Sequence, residues 1–396
     1  MNKKEISEIK RLFTPDRCPL TRICGCYVDG EKNKKSLMKE AFLSISEEEM
    51  FKYFDIFKKT LSGTVGKNLL DMEFPLAQEA DGGTQEYLMK LRASELKDDA
   101  LLDEFYDKVI ETFVYPENYY IILVHGAYDI PKKGTDNLEQ FDASEYVYDF
   151  MLCAICPVRL TKPGLCYNEE TNAIEERIRD WFVEPPITGF LFPAFTDRNT
   201  DIHSILYYSK NPDELNPDFA HLLLGCELPM TASSQKETFN ALVADTLLTD
   251  CTFETVKTIN ETLNTLLEER KDDPEPIMLE KDDVKRLLYD NGASDEVLEH
   301  FDEQYEQTAG DLHAPLLVTN VVSTRKFEIK TPDIVIQVRP DRADLIETRI
   351  INGRPYFLIP ADDSVEVNGI PVRPQGVPDT EAEGNEIGRA SCRERV

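Results

Sequence analysis

The segment from residue 196 to 203 reads Thr-Asp-Arg-Asn-Thr-Asp-Ile-His and is the most enzyme-like stretch in the chain. Its candidate residues are Asp197, Arg198, Asp201 and His203. Carboxylates and an imidazole held together can bind a hard cation or perform acid-base work. Polar residues between two apolar strands are also what an ordinary hairpin loop contains. A metal-assisted enzyme centred on Asp197, Asp201 and His203 is therefore one alternative.

The cysteines offer a second possible chemistry. Cys153 and Cys156 have zinc-knuckle spacing, and Cys18, Cys24 and Cys26 could complete a four-thiolate site. The pair lies in an apolar run that reads as a strand, and residues i and i+3 of a strand point to opposite faces. We therefore expect buried thiols, with no metal site and no cofactor.

Two weaker signals have ordinary structural explanations. The run Gly-Thr-Val-Gly-Lys-Asn at residues 63–68 lacks both the glycine spacing and the Ser or Thr of a phosphate loop, so it predicts a helix end and a turn. His125 follows an apolar strand and is expected to be a structural histidine. No Gly-x-Ser-x-Gly nucleophile motif is present.

The secondary structure predicted around these residues indicates an α+β fold, because strands and helices are segregated along the chain and do not alternate. We expect an N-terminal mixed α+β domain, a helical middle segment and a small C-terminal β module. The expected ranges are 1–230 for the α+β domain, 231–312 for the helical segment, 313–375 for the β-rich module and 376–396 for a disordered tail.

Local signals support this division. Asn2 with Glu5, and Ser46 with Glu49, predict capped helix starts. Apolar residues spaced by three and four over 253–266 predict a stripe that packs in a helical hairpin, or alternatively serves a protein scaffold as its binding surface. Asn-Gly pairs at 352–353 and 368–369 predict hairpin turns in the β module.

Composition limits the range of functions. The 396 residues carry a formal net charge of −31, which argues against wholesale binding to nucleic acid or anionic membranes. No apolar run is long enough to span a membrane, and the N-terminus lacks the apolar core of a signal peptide. With nine scattered cysteines, these features predict a cytoplasmic protein.

The charge is unevenly distributed. Residues 1–67 contain 14 Lys and Arg against 10 Asp and Glu, a net of +4, so the rest of the chain carries −35. An anionic partner such as DNA would therefore meet the N-terminal region. The predicted phosphate contacts are Lys3, Lys4, Lys10, Arg11, Lys32, Lys34 and Lys35.

The last eleven residues, 386–396, read Glu-Ile-Gly-Arg-Ala-Ser-Cys-Arg-Glu-Arg-Val. They match the translation of a common short-read sequencing adapter. We expect them to be an artefact that contributes nothing to the fold.

Three strings carry a resemblance over nearly the whole chain: Thr-Arg-Ile-Cys-Gly-Cys-Tyr-Val-Asp-Gly at 21–30, Gly-Phe-Leu-Phe-Pro-Ala-Phe at 189–195 and Thr-Pro-Asp-Ile-Val-Ile-Gln-Val at 331–338. By these strings the chain closely resembles a bacterial family of gut anaerobes known only as a domain of unknown function. That resemblance brings no established activity with it.

A looser resemblance covers the last third. The order of elements from 277 to 305, with the closing Val-Glu-Val-Asn-Gly-Ile-Pro at 365–371, looks like the C-terminal half of the bacterial nucleoid-associated protein family. This likeness implies an acidic, non-enzymatic protein bound to DNA. The chain departs from that pattern because its C-terminal half has no basic stretch.

Overall fold

The computed structural model of the protein describes residues 1–133, 139–361 and 365–372, with only the backbone described over 132–133 and 139–145. It forms two units, Met1–Thr324 and a second that begins at Arg325. The expected tail, including 386–396, lies outside the described residues. The mixture of a large antiparallel sheet with packed helices confirms the predicted α+β class.

The first unit contains one large sheet and three separate pairs of short strands. Its strands are β1 Leu20–Val28, β2 Lys34–Ala41, β3 Leu69–Glu73, β4 Tyr119–Lys133, β5 Glu139–Leu160, β6 Leu165–Asn168, β7 Ala173–Glu176, β8 Trp181–Val183, β9 Thr188–Phe192, β10 Ala194–Thr196, β11 Asn199–Asp201, β12 Ser204–Ser209, β13 Met278–Leu279 and β14 Leu316–Leu317. The sheet order is β2-β1-β4-β5-β9-β12-β3, with β8 beside β5, and the described pairs are antiparallel. Separate hairpins pair β6 with β7 and β10 with β11, and the short strands β13 and β14 form a further antiparallel pair although they are distant in sequence.

Helices cover this unit. They are α1 Lys3–Arg11, α2 Glu47–Thr60, α3 Leu76–Glu79, α4 Thr84–Ala93, α5 Asp99–Thr112, α6 Ala232–Leu247, α7 Phe253–Glu269, α8 Lys281–Asp290, α9 Asp295–Leu298, α10 Phe301–Ala309 and α11 Val318–Val321, with a π-helical turn at Phe219–Leu224. The predicted caps are present: Asn2 and Glu5 form a capping box, and Ser46 accepts from the backbone N–H of Glu49.

The sheet is buried on both faces, and each face has its own hydrophobic core. The first core lies under α4 and α5 and includes Ile121 and Leu123 of β4. The second core lies under α1 and α2 and includes Ile122 and Val124 of the same strand. Because successive side chains of a strand point to opposite faces, one continuous apolar run fills both cores.

A third core joins the helices after the sheet. Ile259 and Leu263 of the 253–266 stripe are buried there among side chains of α6, α8 and α10, and Leu266 is partly buried against it. Phe253 and Val256 are half-buried. The stripe is therefore packed within the unit and does not form an exposed apolar patch.

The second unit is a series of hairpins. Its strands are β15 Phe327–Lys330, β16 Val335–Val338, β17 Glu347–Ile351, β18 Arg354–Leu358, β19 Val365–Val367 and β20 Ile370–Val372, paired in sequence order. The Asn352-Gly353 and Asn368-Gly369 turns have positive φ at both positions, which confirms the predicted two-residue turns.

Gly189 of β9 lies where the backbones of two central strands approach each other closely. A Cβ on Gly189 would lie 2.3 Å from the carbonyl oxygen of Cys153 and 2.8 Å from the Cγ2 of Thr60. Because a backbone atom cannot move aside as a flexible side chain does, Gly189→Ala should lower the free energy of unfolding by about 1–3 kcal/mol. Chemical denaturation measures this change.

Gly164 supplies the matched control, since a Cβ there meets nothing within 4 Å. Gly164→Ala should leave the denaturation midpoint close to that of the wild type. Equal midpoints for the two variants would contradict the close approach of β9 to β5.

Candidate functional site

The four enzyme-like residues lie on and beside the β10–β11 hairpin. Asp197 and Arg198 form its two-residue turn, with φ of 51° and 56°. Asp201 pairs with Ala194 at the opposite end of the hairpin. The antiparallel register therefore separates the two aspartates that a shared metal site would need to bring together.

Three of these residues have a partner outside the group, and Asp201 accepts a hydrogen bond at 3.0 Å from the backbone N–H of His203. The backbone N–H of Asp197 donates to Oε1 of Glu5 at 2.7 Å, and Nη2 of Arg198 lies 3.2 Å from Oε1 of Glu8. Nδ1 of His203 lies 2.7 Å from Oε1 of Glu79. No group of three or more His, Cys, Asp or Glu able to hold a metal ion occurs among the described residues. The hairpin tip thus contacts α1 instead of assembling an acid-base centre.

Cys153 and Cys156 lie on opposite faces of β5, as the strand periodicity predicted. Cys153 belongs to the first core and Cys156 to the second. Burial raises the pKa of both thiols far above the ordinary value, so they are held in the protonated form. The two sulfurs cannot converge on one ion without breaking the register of β5.

A basic surface surrounds α1. Lys3, Lys4 and Arg11 of the helix, with Arg17 in the following turn, line a cavity of about 1010 Å³. All four side chains are exposed. We call these four residues the α1 basic surface. None of them makes an ion pair within the described ranges 1–133, 139–361 and 365–372.

Other elements complete the cavity wall. Residues 127–129 of β4 and 271–274 after α7 contribute, including the carboxylates Asp129, Asp272 and Asp273. Glu8 also lines the cavity, but it is bound by the hydroxyl of Tyr128 at 3.0 Å and by Arg198. The backbone N–H of Lys3 reaches the carbonyl of Pro274, which ties the start of α1 to this wall.

Further cations stand close to α1. Burial lowers the pKa of Lys10, and the positive charges of Lys59 and Lys58 at the end of α2 lower it further. Lys10 donates to the hydroxyl of Ser62 at 2.6 Å. Positive charges that lower the pKa of a neighbouring lysine mark a region of positive potential, and an anion would relieve it.

The other predicted lysines lie elsewhere. Lys34 reaches α5, on the first-core side of the sheet, where Asp103 and Asp107 lie 2.6 and 2.7 Å from its Nζ. Lys35 pairs with Asp29 at 2.8 Å, while Lys32 is exposed in the β1–β2 loop. Because α1 covers the second core, the seven predicted contacts divide between the two sides of the sheet.

His125 lies among polar side chains on the first-core face of the sheet. We call this group, Thr21, Arg22, Arg92, His125 and Asp149, the polar row. The ring of His125 is buried, with Nδ1 2.6 Å from Oγ1 of Thr21 and Nε2 2.5 Å from Oδ1 of Asp149. Nε of Arg92 on α4 is 4.0 Å from Oδ2 of Asp149. Arg22 is the register partner of His125 on β1.

Sequence reasoning missed five residues of the α1 basic surface and the polar row: Arg17, Thr21, Arg22, Arg92 and Asp149. A signal was available for two of them. Arg22 and Asp149 interrupt apolar strands at positions whose parity faces a core. Arg17 is brought to α1 by a short 3₁₀ turn, which no periodic pattern marks.

The fold defines an α+β protein with one antiparallel sheet buried on both faces. Its sequence matches the profile of the family described as Domain of unknown function (DUF4317) over residues 1–370, so the chain belongs to that family. Comparison with curated proteins gives no match. In the described part of the chain no helix has both the length and the apolar character needed to cross a membrane.

His203 provides a test of the site geometry. Its hydrogen bond to Glu79 and the charge of that carboxylate raise its pKa above the ordinary 6.5, with Asp201 a smaller cause. The pair therefore stabilises the fold fully below pH 6.5, and this contribution is lost as the pH rises through the folded-state pKa. Glu79→Gln should return the His203 pKa, measured by NMR titration, towards 6.5.

Asp201→Asn is the matched control and should leave most of the elevation in place. A His203 pKa that responds to Asp201→Asn more than to Glu79→Gln would restore the idea of an Asp201–His203 site.

Proposed function

We propose that this protein holds duplex DNA on its α1 basic surface, in the manner of nucleoid-associated proteins, and that this surface binds without performing catalysis. The observation that carries the proposal is the convergence of Lys3, Lys4, Arg11 and Arg17, all exposed and free of ion pairs in the described residues, around one cavity. Guanidinium and ammonium groups are the usual ligands of the phosphate backbone.

The state of the other cations supports this choice of surface. Lys34, Lys39 and Lys90 already have carboxylates 2.6 Å away, so a phosphate would have to compete with an internal partner. None of the four cations of the α1 basic surface has a carboxylate within 4 Å in the described residues, although Asp129, Asp272 and Asp273 line the same cavity. Lys10, Lys58 and Lys59 lie nearby and add positive charge to this region.

The acidic remainder of the chain limits how DNA is held. With −35 outside the first 67 residues, phosphates are repelled wherever the duplex leaves this region. Contacts confined to phosphates carry no sequence information. The expected complex is therefore weak, one-sided and without sequence preference.

The salt dependence of binding provides the quantitative test. Four phosphate contacts give a slope of log K against log salt of about −3.6, and losing two leaves about −1.8. Lys3→Glu with Lys4→Glu should weaken binding of a labelled duplex and halve the slope. Acidic residues suit the first turn of a helix, so this double variant should keep α1 folded.

Lys32→Glu with Lys35→Glu is the matched control, because it changes the net charge by the same amount at two exposed residues, Lys35 on β2 and Lys32 in the β1–β2 loop. It should bind nearly as the wild type does. Loss of binding in this variant alone would move the contact surface to that loop, and absence of wild-type binding at low salt would overturn the DNA proposal.

A further inference from the structure

The polar row beside His125 is built in a way that the binding function does not use. Ten buried side-chain polar atoms in the described residues have no hydrogen-bond partner of normal geometry, and four of them lie here: Nε of Arg22, Nε of Arg92, Nε2 of His125 and Oδ1 of Asp149. Such atoms are costly and uncommon in folded proteins. Nε2 of His125 and Oδ1 of Asp149 lie 2.5 Å from each other, so this pair and the two guanidinium groups form a polar cluster beside the first core. A polar cluster is costly to bury there, which points to a function other than packing.

Thr21 brings a hydroxyl to this row. The pairing of β1 with β4 shifts between Leu20 and Arg22, so Thr21 occupies a bulge and turns towards His125. Its Oγ1 lies 2.6 Å from Nδ1 of His125, much closer than the 3.3 Å to the carbonyl oxygen of the same residue. Thr21 is exposed, whereas the His125 ring is buried.

Asp149 determines which ring nitrogen carries the proton. Its carboxylate lies 2.5 Å from Nε2, and a carboxylate at that nitrogen favours the tautomer with the proton on Nε2, in which Nδ1 can accept from the Thr21 hydroxyl. A negative charge there stabilises the imidazolium that forms when Nδ1 accepts a proton.

The backbone beside the row is strained. Glu95 and Leu96, which follow α4, both have positive φ, at 51° and 57°. A leucine in the left-handed region is uncommon and is retained only where surrounding structure holds it. Arg92, from the last turn of α4, places its guanidinium beside Asp149 at this same end of the helix.

We propose that Thr21, His125 and Asp149 form a hydroxyl nucleophile, base and orienting carboxylate, and that the site transfers acyl groups from carboxylic esters whose alcohol or phenol is a good leaving group. An exposed hydroxyl, a buried base within hydrogen-bonding distance and a third group on the far side of the base are what nucleophilic catalysis requires. Thr21 and His125 are the catalytic residues, and Asp149 is the positioning residue.

The step balances without a cofactor. Oγ1 of Thr21 bonds to the ester carbonyl carbon as its proton passes to Nδ1 of His125. The carbon–oxygen bond to the leaving group then breaks, and that oxygen takes the proton from His125. Water, activated by the same imidazole, releases the acyl group from Thr21 as a carboxylic acid.

The probe is p-nitrophenyl acetate, with nitrophenol release followed by absorbance and the acetylated residue located by peptide mass spectrometry. Wild-type protein should carry the acetyl group on Thr21. Thr21→Ala should lower the rate by about 10²-fold or more, and His125→Gln should do the same. Thr21→Ser keeps the hydroxyl and should remain acetylated at residue 21.

Thr265→Ala is the matched control, because Thr265 is an exposed threonine on α7. It should react as the wild type does. Thr21→Ala changes an exposed side chain and should fold normally, which thermal unfolding verifies, so its result stands even if His125→Gln is unstable. Acetylation confined to lysine or cysteine, or an unchanged rate in Thr21→Ala, would overturn the proposal.

This inference is independent of DNA binding. Thr21 is outside the α1 basic surface, so Thr21→Ala should bind duplex as the wild type does. Either proposal can therefore fail while the other stands.

Discussion

Burial of β4 and β5 on both faces is the constraint on which the rest of the first unit depends. Ile121 and Ile122 enter different cores, and Cys153 and Ala154 of β5 divide in the same way. A one-residue slip would move every apolar side chain to the wrong core and carry His125 into the second one. The register that satisfies the two cores therefore also places His125 and Asp149 on one face, with Arg22 opposite on β1.

Charge pairing explains how a chain of net charge −31 retains a basic surface. Lys34 and Lys39 on β2 point towards α5, where Asp99, Asp103 and Asp107 neutralise them. Helix α1 lies on the other face of the sheet, because its buried residues Ile6 and Ile9 enter the second core. Its cations line a cavity and do not pack against an acidic helix. The positive electrostatic potential of this surface therefore depends on where the cations lie and not on how many there are.

Local features of the fold followed from the sequence, because their causes are local. Asn2 with Glu5, and Asn352 with Gly353, act through backbone geometry within four residues. Lys3, Lys4 and Arg11 could be predicted as a basic group for the same reason. The pairing of Lys34 with Asp103 could not, because it joins residues 69 positions apart and depends on which helix covers β2. The partners of His125 were hidden likewise, since the Thr21 bulge and the β4–β5 register are products of packing.

Strand β4 connects the two proposed sites. His125 lies in the polar row, while Tyr128 and Asp129 further along the strand line the cavity. The backbone N–H of Ala127 donates to the carbonyl of Pro19 at 2.9 Å, which holds the loop before Thr21 against β4. A ligand in the cavity would contact that loop. It could influence Thr21 only by binding more tightly to one position of the loop than to another, because a ligand with equal affinity for two states shifts neither. The hydrogen bond from Ala127 favours a single loop position, so the structure leads us to expect two sites that share a strand and act separately.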